Sequence, residues 1–389
     1  MKILTFTSLF PNQAKPDFGT FIYQRAAHLA ARQGNLLQVL APIPYSPSWL
    51  RTKRWSTFSE VPAEEIVGTL AVSHPRYALV PKVMPLHGCL IFLGCLSAAR
   101  GLHQKFAFDC IDAHYVYPDG FAAVLLGKAL GIPVVVSARG TDINVFPNFP
   151  TIRPQIRWAL LQSSGVIAVS AALKDRMVEL GVPADKIKVI GNGVDPQRFH
   201  GIDRGEARRQ LAIPEGARVA LSVGSLVPVK SHKLLISAVA QIADRYHDLL
   251  LYFVGEGPER SRLEADIRSR GLEKRVFLLG NRPNQELGLW FNAADVSCLA
   301  SLREGWPNVI SESIACGTPV VATCVGGVPE IITSPELGIM VEPNAHALAR
   351  GIELALSKKW DRQVLLRTAE LRTWGVVAEE VERFIASRL

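Results

Sequence analysis

Residues 304–323 read EGWPNVISESIACGTPVVAT, and the fold follows from how they are parsed. A helix begins near Asn308 and ends before Gly317, with Pro319 just beyond, as helix stop signals require. An apolar strand follows at 319–323. Loop, helix, tight turn and strand in that order are the repeating unit of a parallel α/β sheet. Two glutamates, Glu304 and Glu312, stand with seven residues between them, one in the loop and one a turn inside the helix. The amides at the helix N-terminus, around Pro307–Val309, suit a phosphate. Glu312 then reaches ribose hydroxyls, and Glu304 a sugar attached to that phosphate. A capping acid and a solvated helix acid would give the same two letters.

Working outward, the same alternation covers the chain. The first half has strand candidates at 2–8, 36–41, 109–113, 133–137, 165–169 and 187–190, separated by helical stretches. One of these, 20–33, keeps Phe21, Ala26, Ala27, Leu29 and Ala30 on a broad apolar face. The pattern restarts with strands at 218–223, 249–254, 276–279, 295–299 and 319–323. Continuous apolar strands between helices indicate parallel sheets covered on both faces. The seam is GNGVDPQRFHGID, residues 191–203, and the linker is expected at 195–215. The domains expected are 1–195 and 210–375, with a final amphipathic helix at about 376–389 packing back on the first.

A chain of 389 residues exceeds one ordinary core and fits two domains. Hydrophobic residues at 48% and charged residues at 20% exclude a disordered or fibrous chain. The longest uninterrupted apolar run, 89–96, falls short of the roughly 20 residues of a membrane span. The opening MKILTFTSLF has no small-x-small cleavage site and reads as a first strand. Six cysteines (89, 95, 110, 298, 316 and 324) show no CxxC pair, which fits a reducing compartment. Residues 1–165 hold 15 Lys and Arg against 8 Asp and Glu, so most of the net +8 belongs there. Without dense Lys/Arg runs and interleaved aromatics, nucleic acid is not the partner expected. A diffuse excess fits an anionic membrane surface, a phosphate-bearing acceptor or a solvated basic face.

Glycines stand at strand ends repeatedly: Gly224, Gly255, Gly257 and Gly280. Glycine there permits close backbone approach to a ligand, and in open α/β sheets ligands bind beyond the carboxyl ends of the strands. A P-loop motif is absent, and GEGPER does not complete the dinucleotide fingerprint. No DxD pair is placed to bind a metal ion, since FDCID reads as a strand.

SLREGWPNVISESIACGTPVVATCVGGVPEII, residues 301–332, resembles the E-x7-E signature region of glycosyltransferase family 4, retaining enzymes of the GT-B fold. The resemblance continues in VIGNGVDPQRF (189–199), SVGSLVPVK (222–230), FVGEGPERSRLE (253–264) and FLLGNRPNQEL (277–287). It also covers FPNQAKPDFGTF (10–21) and CIDAHYVYPDGFAAVLLGKALGIPVVVSARGTD (110–142). The overall flavour is similar to bacterial enzymes of exopolysaccharide and teichuronic-acid-type synthesis.

The resemblance implies two facing Rossmann-like domains with an interdomain cleft, the first for acceptor and the second for nucleotide sugar. It implies Glu304, Lys230 and His114 as the catalytic set. Glu304 contacts donor-sugar hydroxyls, Lys230 neutralises the diphosphate, and the carbonyl or ring of His114 lies near the transferred sugar. Gly19, Ser225, Gly255, Glu256, Arg303, Gly305, Trp306, Pro307, Asn308, Val309 and Glu312 are implied on the donor side, Glu312 at the ribose. Arg139, Gly140 and Asp142 occupy a loop that often reads HGTD in the family, here with arginine for histidine, and Arg139 and Asp142 are placed on the acceptor side. Ser225 stands where the family usually has arginine, with Arg303 or Arg139 as candidate replacements for the missing cation.

The implied reaction is metal-independent, retaining transfer of a hexosyl group from a nucleotide diphosphate sugar, UDP before GDP. The acceptor is a hydroxyl of a lipid-linked or oligosaccharide partner in cell-surface polysaccharide synthesis. Arg51, Lys53, Arg54 and the apolar stretch 81–96 suggest an acceptor region and a peripheral contact with the cytoplasmic membrane face. A sugar-nucleotide 2-epimerase of the same fold, or a non-catalytic sugar-nucleotide-binding subunit, are the other readings.

Overall fold

The computed structural model describes residues 1–45, 58–80 and 83–389. The chain divides into two compact units, Met1–Asn192 with Trp374–Leu389, and Gly193–Thr373.

The first unit contains β1 (Lys2–Phe6), β2 (Leu36–Leu40), β3 (Ile43–Tyr45), β4 (Glu64–Val67), β5 (Leu70–Ser73), β6 (Arg76–Ala78), β7 (Cys110–His114), β8 (Val134–Ala138), β9 (Gly165–Ala168) and β10 (Ile187–Val189). Eight of these form one sheet in the order β10-β9-β8-β7-β1-β2-β5-β4, and β3 pairs separately with β6. All neighbours in the large sheet run parallel except β4 and β5, which form a hairpin. Strand order reverses at β1, which lies between β2 and β7, so the strand ends there form a topological switch point.

The second unit contains β11 (Arg218–Val223), β12 (Leu249–Val254), β13 (Val276–Leu278), β14 (Val296–Leu299), β15 (Val320–Thr323) and β16 (Gly338–Val341), all parallel, in the order β13-β12-β11-β14-β15-β16. Its switch point lies between β11 and β14. Side chains alternate between two cores, as the strand period of two requires. Leu249, Leu251 and Phe253 of β12 pack with helices His232–Ile242 and Ala345–Ser357. Tyr252 and Val254 pack on the other face with Trp290 and Phe291.

Each expected strand is observed within one or two residues of its expected bounds, β3 to β6 and β16 are additional, and the expected 20–33 helix is Thr20–Ala30. The expected linker at 195–215 lies inside the second unit. Its Phe199, Ala207 and Ile213, with Val194 just before it, are buried in the core with Phe291. Asp203 there caps helix Arg204–Gln210 through a bond from the Glu206 amide to its carboxylate, 2.9 Å.

The last helix, Trp374–Ala386, belongs to the first unit and buries Trp374, Val377, Val381 and Ile385 in one core with Ile22, Ala26 and Leu29 of helix Thr20–Ala30. Full burial of such a side chain contributes about 1.5–3 kcal/mol. The side-chain amide of Asn35 donates to Glu382 at 2.6 Å and Arg32 pairs with the same carboxylate, tying the tail to the start of the chain.

The helix Met84–Phe106 is, by length and composition, apolar enough to cross a bilayer, which the uninterrupted run at 89–96 alone does not suggest. Its Gly88, Ile91, Cys95 and Ala99 are buried in the first unit. All six cysteines are free; Cys89 and Cys324 are exposed and the other four buried.

Candidate active site

In the second unit the strand ends at the switch point bring together residues far apart in sequence. Lys230 closes the short 3-10 turn Pro228–Lys230 after β11, and Glu304 lies in the loop after β14. The Leu302 amide donates to the Val229 carbonyl at 2.8 Å, so the two loops are stitched by main chain. Lys230 Nζ then lies 2.6 Å from Glu304 Oε1, with the lysine 23% and the carboxylate 10% exposed. At that exposure the pair is neither a screened surface bridge nor a sealed one, and both charges keep an open side. The Ser301 hydroxyl donates to the same oxygen at 2.6 Å, and the Ser301 carbonyl is itself held by the Thr323 hydroxyl at 2.5 Å.

Gly326 presses against this loop from below. Its φ is +54°, and a Cβ there would come within 2.0 Å of the Glu304 carbonyl, so only glycine lets β15's outgoing chain pass so close. Ser301 and Gly326 were not singled out in the sequence. Their relation to Glu304 is made by folding, although Gly326 belongs to a visible GG pair.

Gly305 and Trp306 are partly buried, and the Trp306 indole Nε1 is enclosed without a hydrogen-bond partner. Pro307 precedes helix Asn308–Ala315 as its cap residue, and its carbonyl accepts the Ile310 amide at 3.0 Å. Proline has no N–H, so the main-chain N–H groups of this helix start are those from Asn308 and Val309 onward. Glu312, on the next turn, is half-buried; burial pushes its carboxyl up to about 7, opposed by the Arg198 guanidinium. Arg198 was also missed, although it lies in the quoted VIGNGVDPQRF.

Gly255 follows β12 directly and donates to the Gly280 carbonyl at 2.9 Å, while Glu256 is held by Arg260 at 2.5 Å. Ser225 and Arg303 are exposed. His232, one residue beyond Ser231, is buried against Phe253, and burial together with the Lys230 charge lowers it to about 4. With His232 neutral, the positive side chains in these two strand-end loops are Lys230 and the exposed Arg303.

In the first unit, Gly19 begins helix Thr20–Ala30 at φ +68°, with its Cβ position only 2.3 Å from the Leu9 carbonyl. Any side chain there would break the loop that leads from β1 into the helix. His114 ends β7 and is fully buried. Asp142 is also fully buried, and its carboxylate accepts the amides of Val116 (2.8 Å), Gly140 (2.7 Å) and Arg139 (3.1 Å). Placed in sequence on the acceptor side, Asp142 serves here as a brace that ties the β8 loop to the chain leaving β7. Burial raises its pKa against the pull of those amides.

Arg139 donates to Asn192 at 3.0 Å and also meets the His114 ring, so its guanidinium is committed within the first unit. Nearby Asp119, unremarked in the sequence, accepts the Ser8 amide (2.7 Å) and hydroxyl (2.9 Å), and burial pushes its carboxyl up to about 6. Arg51, Lys53 and Arg54 lie outside the described residues.

A phosphate-suited helix start, a lysine and two carboxylates at a parallel-sheet switch point can hold a nucleotide diphosphate and its sugar. No group of three or more metal-ligating side chains occurs among the described residues.

Comparison with known proteins agrees in class. Residues 203–372 match the family model described as Glycosyl transferases group 1, and residues 19–198 match that of Glycosyltransferase Family 4. The chain is 29% identical over 361 residues to a Bacillus subtilis glycosyltransferase named for teichuronic acid biosynthesis, TuaC, covering 90% of this chain and 88% of that one. It is 33% identical over 289 residues to an uncharacterized glycosyltransferase of Methanocaldococcus jannaschii, covering 70% and 74%. Its structure superposes on that of Anabaena HepE in complex with UDP with a TM-score of 0.75 at 21% identity, covering both chains fully. The chain therefore belongs to glycosyltransferase family 4, with the GT-B fold, and is a glycosyltransferase.

Proposed function

We propose that this enzyme transfers a hexosyl group, with retention and without a metal ion, from a nucleotide diphosphate sugar to a hydroxyl of a lipid-linked or oligosaccharide acceptor. The observation that carries this is the Lys230–Glu304 pair beside the N-terminus of helix Asn308–Ala315, at the carboxyl ends of adjacent strands. Lys230 and the helix amides stabilise the negative charge that gathers on the diphosphate as its bond to the sugar breaks. Glu304, held by Lys230 and Ser301, accepts hydrogen bonds from donor-sugar hydroxyls, and Glu312 takes the ribose.

In the front-face route the C1–O bond to the diphosphate breaks and the acceptor oxygen bonds to C1 on the same face. The departing phosphate oxygen takes the acceptor's proton, so no carboxylate nucleophile is needed. UDP is the nucleotide proposed, in keeping with the UDP held by the structurally similar HepE. Cell-surface polysaccharide synthesis is the proposed setting, on the resemblance to TuaC.

A contact with the cytoplasmic membrane face is also proposed. Helix Met84–Phe106 exposes Leu86 (49%) and Leu93 (64%), and Cys89, Arg100 and Lys105 are exposed along the same segment. An apolar strip with cations beside it suits an anionic bilayer. Failure to co-sediment with anionic vesicles at low salt contradicts that part.

The chemistry is tested by incubating the enzyme with UDP-hexoses and a panel of glycoside and lipid-linked acceptors in excess EDTA, with intact-protein mass spectrometry alongside. Retained-configuration product without a glycosyl–enzyme adduct is expected. An adduct on Glu304 would indicate double displacement, and dependence on added divalent metal would contradict the metal-independent reading.

A further inference from the structure

The carboxyl ends of β7 and β8 carry a buried network that joins five parts of the first unit. Arg25, from the middle of helix Thr20–Ala30, donates one Nη to Asp112 Oδ1 at 2.7 Å and the other to Ser137 Oγ at 2.8 Å. Asp112 Oδ2 lies 3.2 Å from His114 Nε2, somewhat off the line of a good hydrogen bond. On its other side, His114 Nδ1 is met by Nη2 of Arg139. The Arg139 guanidinium also lies over the Phe21 ring, 5.4 Å from its centroid, and bonds Asn192 at 3.0 Å. Arg25, Asp112 and His114 are 2%, 1% and 0% exposed.

The tautomer follows from donor counting. A guanidinium has only donors, so the histidine nitrogen facing Arg139 must offer its lone pair. The ring proton then sits on Nε2, toward Asp112. The charged groups around the ring are Arg25 from the first helix, Asp112 on its own strand, and Arg139 and Asp142 from the loop after β8. Burial lowers the His114 pKa most, to about 3; Asp112 opposes this, while Arg139 and Arg25 add to it. Both ring nitrogens are thus turned to protein groups.

We propose that Arg139 is a positioning residue: it holds His114 as the neutral Nε2–H tautomer with its ring sealed inside the first unit, and so fixes the ends of β7 and β8 against the first helix. The His114 ring is then held with Nε2–H toward Asp112, and the Arg139 guanidinium is engaged inside the first unit and not on the diphosphate. The turn that depends on this clamp is Tyr115, which follows His114 directly at φ +77°. A side-chain residue in that region is strained and persists only where its surroundings hold it. The catalytic consequence rests on the proposed function; the tautomer does not.

The test uses the full-length protein labelled with ¹⁵N at its nine histidines, as wild type and as Arg139→Lys, Arg139→Gln and Arg139→Met, with His114 assigned from His114→Asn. Long-range ¹H–¹⁵N spectra should show one histidine with a bare Nδ1 and a protonated Nε2 that does not titrate between pH 5 and 8. Arg139→Met should shift that Nδ1 signal and lower kcat roughly 10- to 100-fold through misplacement, with donor KM little changed. Arg139→Lys and Arg139→Gln, which keep a donor, should recover part of the loss. A wild-type His114 protonated on Nδ1, or titrating within that range, overturns the proposal even if no variant folds. So does an Arg139→Met enzyme with the wild-type histidine signal and turnover. Absence of transfer by the wild type under all donors counts against the proposed function and leaves the spectroscopic result standing.

Discussion

Lys230 and Glu304 are held 2.6 Å apart in a partly open site, so truncating either leaves its partner's charge poorly compensated. Lys230→Ala should lower kcat/KM by about 10²–10³-fold, the usual loss when one preorganised electrostatic donor is removed. Because the two residues act on one diphosphate sugar and on each other, Lys230→Ala with Glu304→Gln should cost less than the sum of the single changes, as a double-mutant cycle would measure. Strict additivity would mean that they work separately.

Glu312 gives a pH signature. Its carboxyl is raised to about 7 in the folded protein against an ordinary value near 4.5, so the folded state favours the protonated form. Stability from this group is intact below the ordinary value and declines as pH rises toward 7. Glu312→Gln should therefore raise Tm more at pH 8 than at pH 5. Ribose hydroxyls donate to the ionised form, so nucleotide binding at pH 6.5 should release protons, visible by calorimetry in buffers of differing ionisation enthalpy. Proton uptake would contradict the assignment of Glu312 to the ribose. These acids were readable in the sequence because they sit in a nine-residue motif. Ser301 acts on Glu304 from three residues earlier in the same loop, and Gly326 and Arg198 act from other loops; nothing in their own positions says which acid each would meet. Arg25 and Asp112 did leave a trace, opposite charges embedded in two apolar segments, but their pairing needed the sheet.

At the scale of elements, long parallel strands were legible because each is an uninterrupted apolar run bounded by turn residues. The hairpin of β4 and β5 was not, although EEIVGTLAVS (64–73) alternates around Gly68, which takes φ +60° at the turn. Edge strands are short and half-solvated, so their pattern is weak. β16 likewise has four residues at a sheet edge and escaped notice. The C-terminal helix, expected from the sequence to pack back on the first domain, leaves the second unit and completes the core of the first. Ile385 is fully buried there. Ile385→Ala should destabilise the first unit by about 2–5 kcal/mol, read as a lower urea midpoint. An unchanged midpoint would mean the helix is an appendage and not part of that core.

For the whole molecule, two sheets have separate cores, and the proposed nucleotide contacts Lys230, Glu304 and Glu312 all lie in the second unit. A ligand at about 100 times its Kd stabilises the state that binds it by roughly 2.7 kcal/mol. The most direct test of the donor site is therefore a thermal-shift panel of UDP, GDP, CDP and their sugar conjugates on wild type, Lys230→Ala and Glu312→Ala. The account predicts a selective rise in Tm with UDP and its sugars, reduced in Lys230→Ala and lost in Glu312→Ala. Equal shifts for all three proteins, or no shift with any nucleotide, would contradict the placement of the donor at Lys230, Glu304 and Glu312.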